Sequence, residues 1–259
     1  MTIKPTNRMI ESLPVDAREF LLARLRPVSL PVGTGLVNPG QQPKFAHFMT
    51  SGIASIVTFM KDGVGAEVGM IGREGLVEGM NLLGPSACPT KAFMQSDGTA
   101  LRMLFTDLKR DFFTQGSQLQ RILEGVQCNG FILSQLAACH GLHEIDQRLS
   151  RWLLMVSDRL ASDRFDLTQE FLAEMLGTRR TSVTAAAGAL QRQGLIQYSR
   201  GHIQILNRPL LEAAACECYP IVRDLVANLY ADPISERIPF PVKPDGHQAA
   251  PANGAGAVL

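Results

Sequence analysis

Apolar positions along this chain change their rhythm twice. Residues 14–25 read as a short helix, with Phe20, Leu21, Leu22 and Leu25 on one side after a proline near its start. From residue 28 to about 103 the texture differs. Short apolar runs at 45–49, 53–60 and 67–71 are separated by glycines at 33, 35, 40, 52, 63, 65, 69 and 72. Such evenly punctuated short strands predict a compact antiparallel β-barrel or roll. Lys61-Asp62-Gly63 suits a hairpin turn, because glycine takes positive φ without penalty. Gly98 marks a further break before Leu101.

Beyond residue 106 glycine thins out and helical spacing takes over. Leu119, Ile122, Val126, Asn129, Leu133, Leu136 and His140 step by threes and fours as a heptad seam. A buried Asn fixes register in a two-stranded coil, so Asn129 suits a dimer helix. The alternative is a helix packed on its own β-domain, with Asn129 facing solvent. Residues 143–160 predict a second amphipathic helix, with Ile145, Leu149, Trp152, Leu153, Val156 and Leu160 inward. A hinge is expected between Leu142 and His143. Residues 231–259, rich in Pro, Ala and Gly with little to bury, are expected to form a disordered tail.

The stretch from 165 to 205 carries the chemistry. Thr168 is placed to cap a short helix with Leu172, Met175 and Leu176 inward, and Gly177 ends it in the left-handed conformation of a tight turn. Thr178 is expected to cap a second helix packed through Val183, Ala186, Ala187 and Leu190. Ala173 lets the two helices approach closely. Gly194 ends the second helix, and residues 195–205 then alternate as a β-hairpin with Arg200 and His202 near its tip. This order is that of a helix-turn-helix followed by a wing.

Charge sharpens that reading. The chain is balanced, with 25 Lys+Arg against 24 Asp+Glu and a net charge of +1. Yet residues 177–208 hold five arginines (179, 180, 192, 200 and 208) and no acidic residue. A purely basic stretch in a neutral protein marks a local anion-binding face, with nucleic acid as the leading partner. The composition, 46% hydrophobic over 259 residues, excludes a disordered polyelectrolyte. No run approaches ~18 apolar residues, so no membrane span is expected. The opening MTIKPTNRMIESL is polar where a signal peptide needs an apolar core, and the five scattered cysteines suit reduced thiols. A soluble cytoplasmic protein is expected.

Taken together, Leu172-Ala173-Glu174-Met175-Leu176-Gly177-Thr178-Arg179-Arg180-Thr181-Ser182-Val183 and Gly194-Leu195-Ile196 resemble the Crp/Fnr family of bacterial transcription regulators. The stretch 33–40, Ser51-Gly52 and Ile71-Gly72-Arg73-Glu74-Gly75 resemble the punctuation of that family's β-roll less specifically. The resemblance covers about residues 14–220. It implies an α+β chain: a cyclic-nucleotide-binding-like antiparallel β-roll sensor over 1–116, a dimerisation helix over 117–142 and a winged helix-turn-helix over 143–230. It implies a transcription regulator, not an enzyme, that binds an inverted-repeat operator in double-stranded DNA as a homodimer, with RNA polymerase as a further partner. The DNA contacts would fall on Thr168, Gln169, Thr178, Arg179, Arg180, Ser182, Thr184, Arg200 and His202. Arg180 would face the base edges, Arg179 the backbone. Many relatives carry Glu and a later Arg on this helix where this chain has Thr181 and Ala185, so operator preference does not carry over. The other class is a non-DNA-binding sensor module of the same roll fold, which would have no need of the basic winged segment.

The roll lacks the family's ligand signatures. Relatives that bind cyclic nucleotides use a Gly-Glu pair for the ribose and an Arg-Ser or Arg-Thr pair for the phosphate. Here the order is Glu78-Gly79, and Pro89-Thr90-Lys91 stands where the arginine would be. A buried cyclic phosphate without a bidentate cation is poorly compensated, so cyclic AMP binding is not expected. Any other effector would sit between residues 70–90 and the helix near 126–133. An iron–sulfur cluster is not expected either, since the first 87 residues have no cysteine. Cys216-Glu217-Cys218 is read as two packing cysteines without partners. His140 and His143 form a pair without a completing ligand cluster, so neither metal nor cofactor is expected. No phosphate loop, nucleophile elbow or metalloprotease pair occurs.

Overall fold

The computed structural model describes residues 6–84, 87–112 and 116–232. The tail expected from residue 231 thus lies, from Pro233 onward, outside the described residues. Two short helices lead the chain. The first, α1 (Arg8–Glu11), is capped by the Asn7 side chain, which accepts from the Ile10 N–H, and α2 (Val15–Leu22) starts after Pro14. At four residues α1 is too short to leave a periodic trace, and the sequence reading does not include it.

Seven strands follow: β1 (Arg26–Leu30), β2 (Gly35–Val37), β3 (Phe45–Ser51), β4 (Ala54–Phe59), β5 (Gly65–Ile71), β6 (Lys91–Met94) and β7 (Gly98–Leu104). They form two antiparallel sheets, ordered β1-β7-β3 and β2-β6-β4-β5. Alternate side chains from both sheets, among them Leu30, Val37, Met49, Ile71 and Met94, meet in one core. Glycine at 52 answers a close approach: φ is +74°, and a Cβ there would stand 2.6 Å from the Asp97 carbonyl oxygen. Gly98, expected as a break, is instead the first residue of β7.

The helical half begins with α3 (Phe105–Phe112) and the 27-residue α4 (Gly116–Leu142). At 1.5 Å per residue α4 is about 40 Å long. It stops at the expected hinge, and α5 (Ile145–Leu160) restarts two residues later behind a capping box between Glu144 and Gln147. The winged unit follows: β8 (Arg164–Asp166), α6 (Gln169–Met175), α7 (Arg180–Arg192), β9 (Ile196–Ser199), β10 (His202–Ile205), α8 (Arg208–Ala214) and α9 (Cys218–Asn228). Leu149, Trp152, Leu153 and Val156 of α5 are buried with Leu172, Leu176, Val183 and Leu190 of the helix pair.

Roll and winged unit pack against each other. The single tryptophan, Trp152, donates its Nε1–H to Glu67 on β5 at 2.6 Å. Arg159 pairs with Glu74 at 2.9 Å, which gives the Ile71–Gly75 stretch a joining role. The last helix, α9, runs back along α4. At its end Arg8 donates to the carbonyl oxygens of Val226, Ala227 and Leu229, while Arg121 donates to that of Asp232. Among the described residues no helix is long and apolar enough to cross a membrane.

Two expectations need correction. Most of the heptad seam on α4 does not lie free: Ile122 and Leu136 are buried within the protomer, Leu119, Val126, Asn129 and His140 are half-buried, and Leu133 is exposed. One helix flank must close the roll core, and the apolar residues of that flank supplied the period. Where an effector is expected, the described residues leave a small space. Met9, Gly79, Ile122, Val126, Asn129 and Leu229 line a cavity there of about 10 Å³, roughly one water's worth. Finally, Cys216 and Cys218 are not without partners, nor is His143. The fold brings all three against Cys139, a juxtaposition invisible in sequence because 77 residues separate Cys139 from Cys216.

Candidate nucleic-acid interface

The site is built from the turn outward. Thr168 caps α6, its Oγ1 accepting the Phe171 N–H at 3.1 Å, a bond typically worth ~1 kcal/mol. Leu172, Met175 and Leu176 face inward, as a 3.6-residue period requires. Gly177 follows with φ +56°, and a Cβ there would stand 3.2 Å from Ala66 of the roll, so the turn is held tight on both sides. Thr178, expected as the next cap, is one residue too early. The N-cap of α7 is Arg179, in extended conformation and with no side-chain cap bond. An arginine has no acceptor for a backbone N–H, so this helix start is left without a side-chain acceptor.

On α7 the inward positions are Val183, Ala186, Ala187 and Leu190, all buried. The outward face carries Arg180, Thr181, Thr184 and Ala185, with Gln191 and Arg192 a turn or two on, all exposed. Ser182 is half-buried at the rim of that face, whereas Thr181 lies near its middle. Thr181 is not among the positions the resemblance assigns to DNA, although helical geometry places it one turn before Thr184 and Ala185 on the same face. Thr184 and Gln169 do not stand apart. The Thr184 hydroxyl is 2.7 Å from Gln169 Oε1 and 2.9 Å from the Arg180 carbonyl oxygen, so it ties the start of α6 to α7.

The wing is the sheet β8-β10-β9, with Ile203 and Ile205 buried beneath it. Its two-residue turn is Arg200-Gly201, with φ +50° and +87°, the pair of positive values that matches the twist of a hairpin. Arg200 is exposed at the tip. Tyr198 fastens the wing by donating its hydroxyl to the Leu167 carbonyl at 2.8 Å. Desolvation there raises the Tyr198 pKa, which keeps the phenol protonated. His202 is exposed but not free: its Nδ1 lies 2.6 Å from Asp166 on β8, which leaves Nε2 as its outward atom. Of the five arginines in the basic stretch, Arg208 turns away. It pairs with Asp158, Glu212 and the Tyr219 hydroxyl beneath α5, while Arg179, Arg180, Arg192 and Arg200 are exposed.

In the roll, Glu78 is fully buried and already engaged. Its carboxylate accepts the His47 backbone N–H at 2.7 Å and meets the His47 ring Nδ1 at 2.7 Å. Thr90 is bonded to Cys88 at 2.8 Å, and the Lys91 ammonium lies over the Phe93 ring. Among the described residues no set of cation and hydroxyl converges there as a phosphate would require.

Residues 147–214 match the family model of the Crp-like helix-turn-helix domain. No curated protein matches the sequence significantly. Among solved structures, a transcriptional regulator titled as Crp/Fnr family from Eubacterium rectale superposes with a TM-score of 0.65 at 16% identity, over 79% of this chain and 95% of that one. FixK2 from Bradyrhizobium japonicum gives 0.63 at 14% identity, over 74% and 98%. The c-di-GMP-responsive global regulator CLP from Xanthomonas campestris gives 0.62 at 17% identity, over 75% and 100%. At such identities the likeness is one of fold.

Proposed function

We propose that this chain, with a Crp-like helix-turn-helix domain and a fold like that of Crp/Fnr regulators, is a transcription regulator that binds an inverted-repeat operator in double-stranded DNA as a homodimer. The observation that carries the reading is the outward side of α7 and the adjoining wing. Arg179, Arg180, Arg192 and Arg200 stand exposed on one stretch of chain that holds no acidic residue from 177 to 208.

In this reading α7 enters the major groove. Arg180 reaches a guanine edge, and Thr181, Thr184 and Ala185 offer hydroxyls and methyl groups to base edges, thymine methyls included. Thr168, Gln169, Thr178, Arg179, Ser182, Arg200 and His202 border the groove and serve the phosphates. The α7 N-terminus, with no side chain of its own on the first N–H groups, adds a phosphate seat. Dimerisation falls to the exposed face of α4, where Phe131, Leu133, Ser134, Ala137 and Ala138 lie side by side. Two reading helices on a two-fold axis then meet half-sites about one helical turn apart. In this reading DNA binding needs no cyclic nucleotide, supported by the Glu78 carboxylate being already engaged by His47. RNA polymerase is the further partner in this reading.

Filter binding of random-sequence duplex at low salt tests it, with sedimentation of the free protein alongside. The expected result is a dimer that retains DNA, with affinity falling by ~0.9 in log K per log salt for each phosphate contact. A folded protein that retains no duplex at low salt would instead be a sensor module of the same fold.

A further inference from the structure

Four side chains far apart in sequence converge where the long helix ends. Cys139 lies in the last turn of α4, and His143 is the first residue beyond that helix. Cys216 and Cys218 flank the start of α9. Their ligand atoms all lie within 4.8 Å of one another. The three cysteines are buried, and the His143 side chain is 18% exposed.

The spacings are those of a tetrahedral metal cage. With Zn–S near 2.3 Å and Zn–N near 2.1 Å, the edges of such a cage come to about 3.8 Å between sulfurs and about 3.6 Å between sulfur and nitrogen. Cys139 Sγ and Cys216 Sγ are 3.6 Å apart, and Cys218 Sγ and His143 Nδ1 are 3.6 Å apart. A disulfide would need about 2.05 Å. We propose that Cys139, His143, Cys216 and Cys218 form a closed Cys₃His site for a zinc ion, which clasps the end of α4 to the α8–α9 junction across the hinge at 143–144.

The surroundings fit a metal better than idle thiols. A ligating histidine characteristically donates its other ring N–H to a carboxylate, and His143 Nε2 is 3.2 Å from Glu217 Oε1. Gln135 Nε2 donates to Cys218 Sγ at 3.1 Å, the bond a coordinated thiolate accepts. Two buried or half-buried guanidiniums border the cluster. Arg151 is 1% exposed with its Nε unpartnered, and the Arg148 Nε is unpartnered too. A buried cation asks for a nearby anion. Three thiolates, a neutral imidazole and Zn²⁺ sum to one negative charge in the position where Arg148 and Arg151 act on the Cys139 sulfur. Loading releases the thiol protons to solvent and moves no electron. The tetrahedral sulfur-rich set selects zinc over magnesium or calcium.

The test needs neither DNA nor an effector, so it stands or falls apart from the regulator reading. The whole reduced chain is stripped with a chelator and titrated with Zn²⁺ and, separately, Co²⁺. We expect one metal per chain, a tetrahedral Co²⁺ spectrum and sulfur-to-cobalt charge transfer that drops by about one third in Cys216→Ser. Cys88→Ser and Cys128→Ser should bind as the parent does. Glu217→Gln, a change at an exposed side chain, should weaken zinc by ~10–100-fold. Folded, reduced protein that takes up no zinc would overturn the proposal. So would an octahedral cobalt spectrum, a Cys139–Cys216 disulfide in protein purified without oxygen, or Glu217→Gln binding zinc as tightly as the parent.

Discussion

Arg179 and Arg180 are neighbours in sequence but not in role. Arg179 stands before α7 with extended backbone, and Arg180 opens the helix, so their side chains leave in different directions. On this account Arg180→Ala costs ~1–3 kcal/mol per half-site on the preferred operator and relaxes one base pair. Arg179→Ala weakens all sequences alike and lowers the salt slope by about one unit. Competition binding against scrambled duplex checks both; an unchanged ratio for Arg180→Ala contradicts its role as a base reader. Arg200 offers a second test, because it holds φ +50° where glycine would be unstrained. Arg200→Gly should raise stability by about 1 kcal/mol while weakening DNA binding, two effects of opposite sign in one variant. Thermal melts and binding isotherms read them separately, and a variant that loses stability contradicts the strain.

Among the elements, α4 has two faces with two tasks. Cys128, Ile132, Leu136 and Cys139 pack toward α9 and the winged unit, and Ile122 packs toward the roll. Ser134, Ala137, Ala138 and Gly141 lie opposite and exposed, with Gly130 half-buried beside them, small enough for a second α4 to come close. Ala138→Glu would set like charges together on the two-fold axis, at a cost of several kcal/mol. Sedimentation should then show monomer, with the far-ultraviolet spectrum of the parent. A dimer as tight as the parent's would move the interface elsewhere.

The same helix shows what periodicity can and cannot tell. The apolar steps at 119–140 identify a helix correctly, and the break at 142–143 is seen because Gly141 and Leu142 end the pattern. Which neighbour the seam meets is not encoded in its spacing, since any buried flank produces the same period. In the winged unit β8, α8 and α9 were not legible, whereas the helix pair and the hairpin were, with Thr168 as cap, Gly177 as turn, and Ile203 and Ile205 as the wing's inner side. There each local choice of residue agrees with the global fold. The placing of the α7 cap at Thr178 instead of Arg179 is a single-residue boundary. The cysteine cluster was out of reach, because its four ligands come from two segments joined only by tertiary packing.

For the molecule as a whole, the seam between roll and winged unit sets where the reading heads point. Glu67 lies in that seam, and burial pushes its carboxyl up to about 7 from 4.5, against the bonds from Ser55 and Trp152 and the charges of Arg151 and Arg159. The folded chain therefore keeps a proton that the unfolded chain loses. Stability should fall as pH rises from about 4.5 to about 7 and stay level above. Glu67→Gln, which keeps an acceptor for Trp152, should grow more stable than the parent across that window, by roughly 3 kcal/mol at most. Urea unfolding followed by Trp152 fluorescence reads it, and a difference that does not vary with pH contradicts the buried acid.

The central claim is that two copies of this chain read a symmetric DNA site without a cyclic nucleotide. Selection of bound sequences from a random duplex pool, with purified protein and no added nucleotide, tests it most directly. The account predicts enrichment of an inverted repeat whose half-sites lie about one helical turn apart, lost from the pool when Arg180→Ala is used. Enrichment of a single unrepeated site, or of no sequence above the starting pool while the protein remains folded, would contradict it.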